Sequence, residues 1–496
     1  MTKYTGITIG PILPTLLRAR TTRELWAASF LFSYIMEQLT LELEKKAEIE
    51  VISPKVVPLP AGEKVGAGLY PDRILFKQLS SIEPQLIREV AQGVIKTLAR
   101  KISTHLKFHL PENYPSESDI QTYLESYIQL YGQDIDLQEG HNLIFSFKPY
   151  LETIDRRPQL PVLDNNANHL FTFLDRVNAW IPGKKDGSWK PGTSFLIEAG
   201  FGKVKRFDSL IEIAARDLQL MDKVKFDKII KEHFAAVNGN ELREEEQLLK
   251  EFSQEFGAAF KHYHKHLAIV HADGDSVGAL LRIIGTDAGL LKEFSAVLSK
   301  FAQSAANQVH NFGGLPIYAG GDELLFLAPV RICYRKAQKE EEVIDTNESV
   351  FDLIHAIDHS FQQATRAFIE NKKLSWPDDA PKPTLSFGMA ISHFKSPLYE
   401  RLEDSRNALF EGAKKQPGKH RLTIHFTTHS DQSFKYDLPL GHQQGWQQFR
   451  KTINLYNREN QIFPSSFARR LYELQPLLEV MIGKRFYTVG PLLEEL

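Results

Sequence analysis

Cysteine is nearly absent: Cys333 stands alone in a chain of 496 residues. One thiol cannot build a disulfide framework or a zinc ribbon. No run of about 18 apolar residues occurs, so no transmembrane helix is expected. The amino-terminal MTKYTGITIGPIL lacks the pattern of a secretory signal. A cytoplasmic protein is the resulting expectation. Neither sign of charge is in excess, with 60 Lys and Arg against 62 Asp and Glu and a net charge of −2. Nothing global therefore points to nucleic acid, although one face can still be basic. The first 60 residues hold no histidine, and no His-Asp dipeptide occurs anywhere.

What the chain does hold centres on residues 315–330, LPIYAGGDELLFLAPV. Leu315 to Tyr318 and Leu324 to Leu327 read as two strands, with Gly320-Gly321-Asp322-Glu323 as a hairpin turn between them. A structural turn needs only Asn-Gly or Asp-Gly, so two adjacent carboxylates at an apolar hairpin tip ask for another reason. Hard divalent metal supplies one, since it takes oxygen ligands and bridges nucleotide phosphates. Upstream, LAIVHADGDSVG reads as a buried strand that ends on Asp273-Gly274-Asp275. Between the two motifs Leu290, Leu291, Phe294, Val297, Leu298, Phe301, Ala305 and Val309 mark one apolar helix face. Pairing of the first strand beside the hairpin would bring Asp273 near Asp322.

The pattern continues with a second helix face (Phe351, Ile354, Ile357, Phe361, Ala364, Phe368) and a strand at Thr384 to Ile391, where Gly388 permits close backbone approach. A helix near 397–414 and a strand at 421–427 follow. The order β-α-β-β-α-β is the ferredoxin-like split unit, shared by polymerase palms and nucleotide cyclases. The fold class read from the sequence is therefore α+β. It comprises two ferredoxin-like palm domains, the first degenerate, plus helical domains. The expected divisions are 1–180 for the degenerate palm, 181–262 for a mostly helical linker domain, 263–435 for the catalytic palm and 436–496 for a helical carboxy-terminal domain. The first palm opens with YTGITIG, whose strand ends on Gly10-Pro11 rather than an acid. A long helix follows, with Arg18, Arg20 and Arg23 at its start, and Asn142 to Phe147 reads as a strand. Residues 181–193 read as linker, and the charged stretch 334–347 as a solvated loop.

Several segments together resemble the large polymerase-like subunit of type III CRISPR effector complexes, in the Cmr (type III-B) branch. They are IGPILPTLLRARTTRELWAASFLFSY, YPDRILF, RFDSLIEIAARDL, ADGDSVGALL, YAGGDELLFLAPV and SFGMAISHFKSPLYERLEDSRNALFEGAKKQPGKHRL. The resemblance implies a ribonucleoprotein of other Cmr subunits with guide and target RNA. It also implies target-RNA-dependent synthesis of an adenylate second messenger, a cyclic oligoadenylate, from ATP. The chain departs from the family pattern in three ways. The usual Gly-Gly-Asp-Asp turn ends here in Glu323, as in diguanylate cyclases. The His-Asp pair of the family's nuclease domain is missing, so no DNA cleavage is expected. The family's cysteine-bound zinc is missing too, so no zinc is expected.

On this reading Asp273, Asp322 and Glu323 are the catalytic residues and hold two magnesium or manganese ions. Gly274, Asp275, Ser276, Gly320, Gly321, Lys395, Lys415 and Lys419 face the nucleotide, Lys414 completing the basic run before Lys419. Asp275 is open between contacting metal or nucleotide and capping its loop. Asp72 and Glu152 of the first palm either face a second substrate or are surface acids. His262, His264 and His266 alternate like metal ligands but lack an acid or cysteine partner nearby. Three rival activities stay open. One joins AMP from ATP to S-adenosylmethionine, as some relatives without the nuclease domain do. Another is a structural subunit with an inactive palm. The third is a stand-alone diguanylate cyclase.

Overall fold

The computed structural model describes residues 1–456 apart from short stretches at 60–62, 111, 156–167, 178–179, 183–188, 192–193, 204, 236–240, 337–342, 378–379, 429–431 and 442. Residues 1–441 form one compact unit and His442–Leu496 a second, of which the helix Gln443–Tyr456 is described. The rest of the expected carboxy-terminal helical region lies outside the described residues. No helix among the described residues is long and apolar enough to cross a membrane.

The first sheet contains β1 (Thr2–Gly10), β2 (Ile49–Ser53), β3 (Arg73–Gln78) and β4 (Gln129–Leu137) in the order β2-β3-β1-β4. Every neighbouring pair is antiparallel, which is the split βαββαβ arrangement. Helix α1 (Thr22–Glu44) crosses from β1 to β2, and α2 (Pro84–His109) follows β3. A capping box starts α1: Thr21 accepts from the Glu24 amide at 3.2 Å, and Glu24 accepts from the Thr21 amide at 3.1 Å. The arginines at this entry are engaged locally. Arg23 pairs with Asp175 at 3.1 Å, while Arg18 and Arg20 lie over the Phe171 and Tyr399 rings.

The second sheet repeats that plan with additions. Its strands are β5 (His266–Asp275), β6 (Leu315–Gly320), β7 (Glu323–Pro329) and, beyond the hairpin discussed below, Thr384–His393, Arg421–Thr427 and Ser433–Pro439. Numbering β8 (Arg331–Lys336) and β9 (Val343–Ser349) first, these last three are β10, β11 and β12, and the sheet order is β12-β11-β10-β5-β7-β6. Strands β10, β5, β7 and β6 are antiparallel throughout, and β11 joins β10 in parallel. Helices α3 (Ala288–Asn311) and α4 (Val350–Asn371) cover one face, where Phe301 and Phe361 meet edge to face at 5.0 Å. The two palms and the helices of residues 195–256 bury side chains in one continuous core, including Leu25, Phe76, Phe226, Leu267, Ile317 and Leu327.

Local expectations fail in three places. Residues 143–155 are a helix, not a strand. Asn142 caps it by accepting from the Phe145 amide at 3.1 Å, and Leu143, Phe147 and Leu151 are buried at four-residue steps. The stretch 334–347 is no solvated loop: β8 and β9 pair as an antiparallel hairpin, with 337–342 outside the described residues. Residues 433–439 are a strand where helix was expected from 436: all seven pair antiparallel with β11. Of the expected linker, Trp180–Pro182 pairs with Trp189–Pro191 and the remainder lies outside the described residues.

Candidate active site

Register brings the acids together. β5 pairs with β7 up to Ala272↔Leu324, so Asp273 falls one step further on, beside the hairpin turn. Gly320 and Glu323 close that turn, with Gly321 at φ +67° in open space. On the other side Ser386 lies opposite Asp273 and Thr384 opposite Asp275. Asp322 packs directly on the first acid loop: a methyl group at Gly274 would fall 2.1 Å from Asp322 Oδ2. Only glycine at 274 admits that carboxylate.

Lys414 sits at the centre of the loop. Its Nζ donates to Asp275 Oδ1 (2.8 Å) and the carbonyls of Asp273 (2.9 Å) and Gly274 (2.7 Å), and forms an ion pair with Asp273 Oδ2 (2.5 Å). Burial alone would lower its ammonium, but the two carboxylates outweigh that and raise it. Asp275 is buried and fully engaged: besides Lys414 it accepts from Ser386 Oγ at 2.6 Å and the His420 amide at 3.0 Å. It therefore anchors the loop, the role a capping residue would have. Lys414 comes from the end of a π-helical turn, Ala408–Ala413, that continues the helix Leu398–Asn407. Gly388 lets that turn lie on β10, since a methyl there would meet the Leu409 amide and Ser405 carbonyl at 2.2 Å.

The remaining acids are crowded and lose part of their hydration. Burial raises Asp273, with Lys414 opposing and Asp275 adding to the shift. Asp322 is pushed up to about 7 by burial and then by Asp273. Glu323 is held well above the usual carboxylate range by the surrounding protein, then by Asp72, Asp273 and Asp322, although its residue surface reaches solvent. Each neighbour makes the charged form of the next costlier.

These acids form the wall between two clefts. One, of about 520 Å³, is lined by Gly274, Gly278, Gly320, Gly321, Asp322 and, from the first palm, Lys55, Arg73, Lys148 and Glu152. The other, of about 620 Å³, is lined by Leu13, Phe32, Met36 and Tyr70 of the first palm with His271, Arg406 and Phe410 of the second. Asp72, Asp273 and Glu323 line both. Asp72 and Glu152 are thus cleft residues, Glu152 also pairing with Lys148 at 3.6 Å.

Not every expected residue arrives. Lys395 is misplaced by the sequence reading: it follows His393, which pairs with His266 at the opposite end of β5 from Asp275. Nine residue steps separate those ends, roughly 30 Å. Lys415, just past the π-helical turn, pairs with Glu411 on the exposed surface. Lys419, at φ +48°, lowers the proton affinity of Asp273 electrostatically and so belongs near the acids. Ser276 adopts φ +59°, an uncommon left-handed conformation for a side chain-bearing residue, right after the acid loop. His264 is a core residue, its Nε2 2.7 Å from buried Asp217. Among the described residues no three His, Cys, Asp or Glu side chains converge on a metal-sized site by themselves. Sequence reasoning passed over His271, although it stands two residues before Asp273 and so shares its strand face.

Residues 266–423 match the family described as Cas10/Cmr2, second palm domain, and residues 4–104 match that of CRISPR-associated protein Cmr2, N-terminal. A relative in Pyrococcus furiosus, CRISPR system Cmr subunit Cmr2, is 26% identical over 212 residues, which is 37% of this chain and 21% of that protein. The chain thus matches about a fifth of the length of that curated relative. A solved type III-B Cmr-beta complex in its apo state aligns over 88% of this chain and 70% of its own, with a TM-score of 0.51 and 11% identity. The same complex bound to cognate target RNA aligns over 88% and 71%, with a TM-score of 0.55 and 10% identity.

Proposed function

From the premise that this chain belongs to the Cas10/Cmr2 family, we propose that it is the nucleotidyltransferase subunit of a type III-B CRISPR effector complex. When target RNA is bound, it converts ATP to an adenylate second messenger, a cyclic oligoadenylate. The observation that carries this reading is the packing of Asp322 on Gly274 beside Asp273, at the wall shared by two clefts.

The donor set suits magnesium or manganese. Asp322 at about 7 is a carboxylate waiting for positive charge, and Asp273 and Glu323 offer further hard oxygens. Asp273, Asp322 and Glu323 would hold the ions, which polarise phosphate and lower the pKa of the attacking hydroxyl when bound. Three side chains are too few for a closed cage, so phosphate oxygens and water would complete the shell. Asp275 and Lys414 hold the loop rigid, so Asp273 is aimed before substrate arrives. The cleft with Gly274, Gly278, Gly320 and Gly321 suits the triphosphate, because bare backbone there admits phosphate closely and Lys55, Arg73 and Lys148 oppose its charge. The second cleft suits the acceptor nucleotide, whose hydroxyl would approach past Asp72 and Glu323. The solved Cmr-beta complex with cognate target RNA supports the choice of target RNA and other Cmr subunits as partners.

The test is mass spectrometry of ATP reactions with the assembled complex and matching target RNA, using wild type and Asp322→Ala, with and without S-adenosylmethionine. Oligoadenylate from wild type alone is expected. Equal yield from the variant would overturn the site. A product found only with S-adenosylmethionine would overturn the choice of acceptor.

A further inference from the structure

The second cleft carries a polar atom whose hydrogen-bonding sense is fixed by the fold. His271 lies on β5 and lines the cleft with Phe32, Met36, Arg406 and Phe410. Its Nδ1 is 2.8 Å from Ser405 Oγ. Ser405 has one hydroxyl proton, and it is already donated to the Leu402 carbonyl at 2.9 Å. The serine oxygen can then only accept, so His271 must place its proton on Nδ1. That leaves Nε2 with a bare lone pair, and no described residue donates to it. His271 lines the cleft, so a ligand there can take the place of water as the donor to that nitrogen.

Position says which part of a ligand that is. His271 and Asp273 share one strand face two residues apart, about 6.6 Å along the strand. That span allows a nucleotide whose hydroxyl reacts at Asp273 to reach His271 with its base. The cleft walls fit a flat ring. Phe410 is 39% exposed, and its ring lies 5.1 Å from the Arg406 guanidinium. The residue comes from a π-helical turn, a feature frequent at functional sites.

Resting on the reading above, we infer that His271 Nε2 selects the acceptor by accepting a hydrogen bond from the amino group of its base. An adenine edge offers that donor at its 6-amino group, whereas the oxygen at the same position of guanine would face a lone pair. His271 is on this view the specificity-determining residue of the acceptor cleft, and Ser405 is the positioning residue that fixes its tautomer.

The test compares ATP with purine riboside triphosphate, which lacks only the 6-amino group, for equilibrium binding to the full-length chain and as substrate in the target-activated complex. Wild type is expected to prefer ATP about tenfold or more. In His271→Phe the preference should collapse towards one while affinity for the deaminated analogue stays within about twofold. Ser405→Ala, which touches neither nucleotide, should lower the preference part of the way by admitting the other tautomer. Parallel loss of both nucleotides in His271→Phe, or an unchanged ratio in both variants, would overturn the inference while transfer itself persists. Wild type that neither binds nor turns over any nucleotide would overturn the proposed function along with it.

Discussion

At the residue scale, the acid cluster stores destabilisation that the folded chain would not tolerate without a use for it. Asp322 ionises at about 7 in the fold, against an ordinary value near 3.9 once the chain unfolds. The folded state therefore holds a proton that the unfolded state has lost between those values. Stability contributed by this group is complete below about 3.9, falls as pH rises, and is fully lost above about 7. Asparagine keeps the shape and never ionises, so it escapes that loss. We predict that Asp322→Asn, in metal-free buffer at pH 8, melts about 2 °C above wild type and that the difference vanishes at pH 4. Scanning calorimetry in chelator measures both. A variant no more stable than wild type at pH 8 would mean that burial and Asp273 do not raise this carboxyl in the fold. Lys414 is the counterpart of this strain, a cation supplied by the chain itself that binds Asp273 and Asp275 together and holds their loop still.

At the element scale, two glycines near the site do opposite things, and they separate under one substitution. Gly388 has an ordinary φ but no room, with backbone atoms of Leu409 and Ser405 2.2 Å from where a methyl would stand. Gly321 has room but φ +67°. Gly388→Ala must push the π-helical turn off β10 and should cost about 3 kcal/mol. Gly321→Ala pays only for a left-handed backbone, about 1 kcal/mol. Urea denaturation of the two variants should rank them in that order, and equal losses would contradict the packing. The same contrast explains what was legible in the sequence. The hairpin, the strand ending on Asp273 and the helix faces could be read because turn chemistry and apolar period are local. The partner of Lys414 lies 141 residues away, so its run could be flagged as basic but not ranked, and exposed Lys415 looked equal to it. Residues 143–155 misled because Pro149 sits inside a helix whose first turn is rich in strand-forming Phe and Ile. The rigid placement of Asp275 likewise rests on Ser386 and His420, more than a hundred residues distant.

At the scale of the whole molecule, the second palm is half of a site and half of a core. Its edge strand β6 is completed by the first palm: Gly68 bridges Tyr318, and its carbonyl accepts from the Ala319 amide at 2.9 Å. Ser29 of α1 donates to the Ile317 carbonyl at 3.1 Å. Ile317 and Leu327 are completely buried, and both belong to the core that runs into the first palm and the helices of residues 195–256. Removing residues 1–262 would bare those side chains, each worth about 1.5–3 kcal/mol of burial, and would leave β6 as an open apolar edge. Asp72 would also leave, and with it the first-palm side of both clefts. We therefore predict that a fragment of residues 263–441, although it holds the whole β-α-β-β-α-β unit and every proposed metal ligand, does not fold to a cooperative monomer. Expressed alone it should aggregate or bind a hydrophobic dye. Co-expression with residues 1–262 should recover a soluble complex. A fragment that is monomeric by size exclusion and melts in one sharp transition would show that the shared core is an interface between two independent domains, and the acid cluster would then have to be understood from the second palm alone.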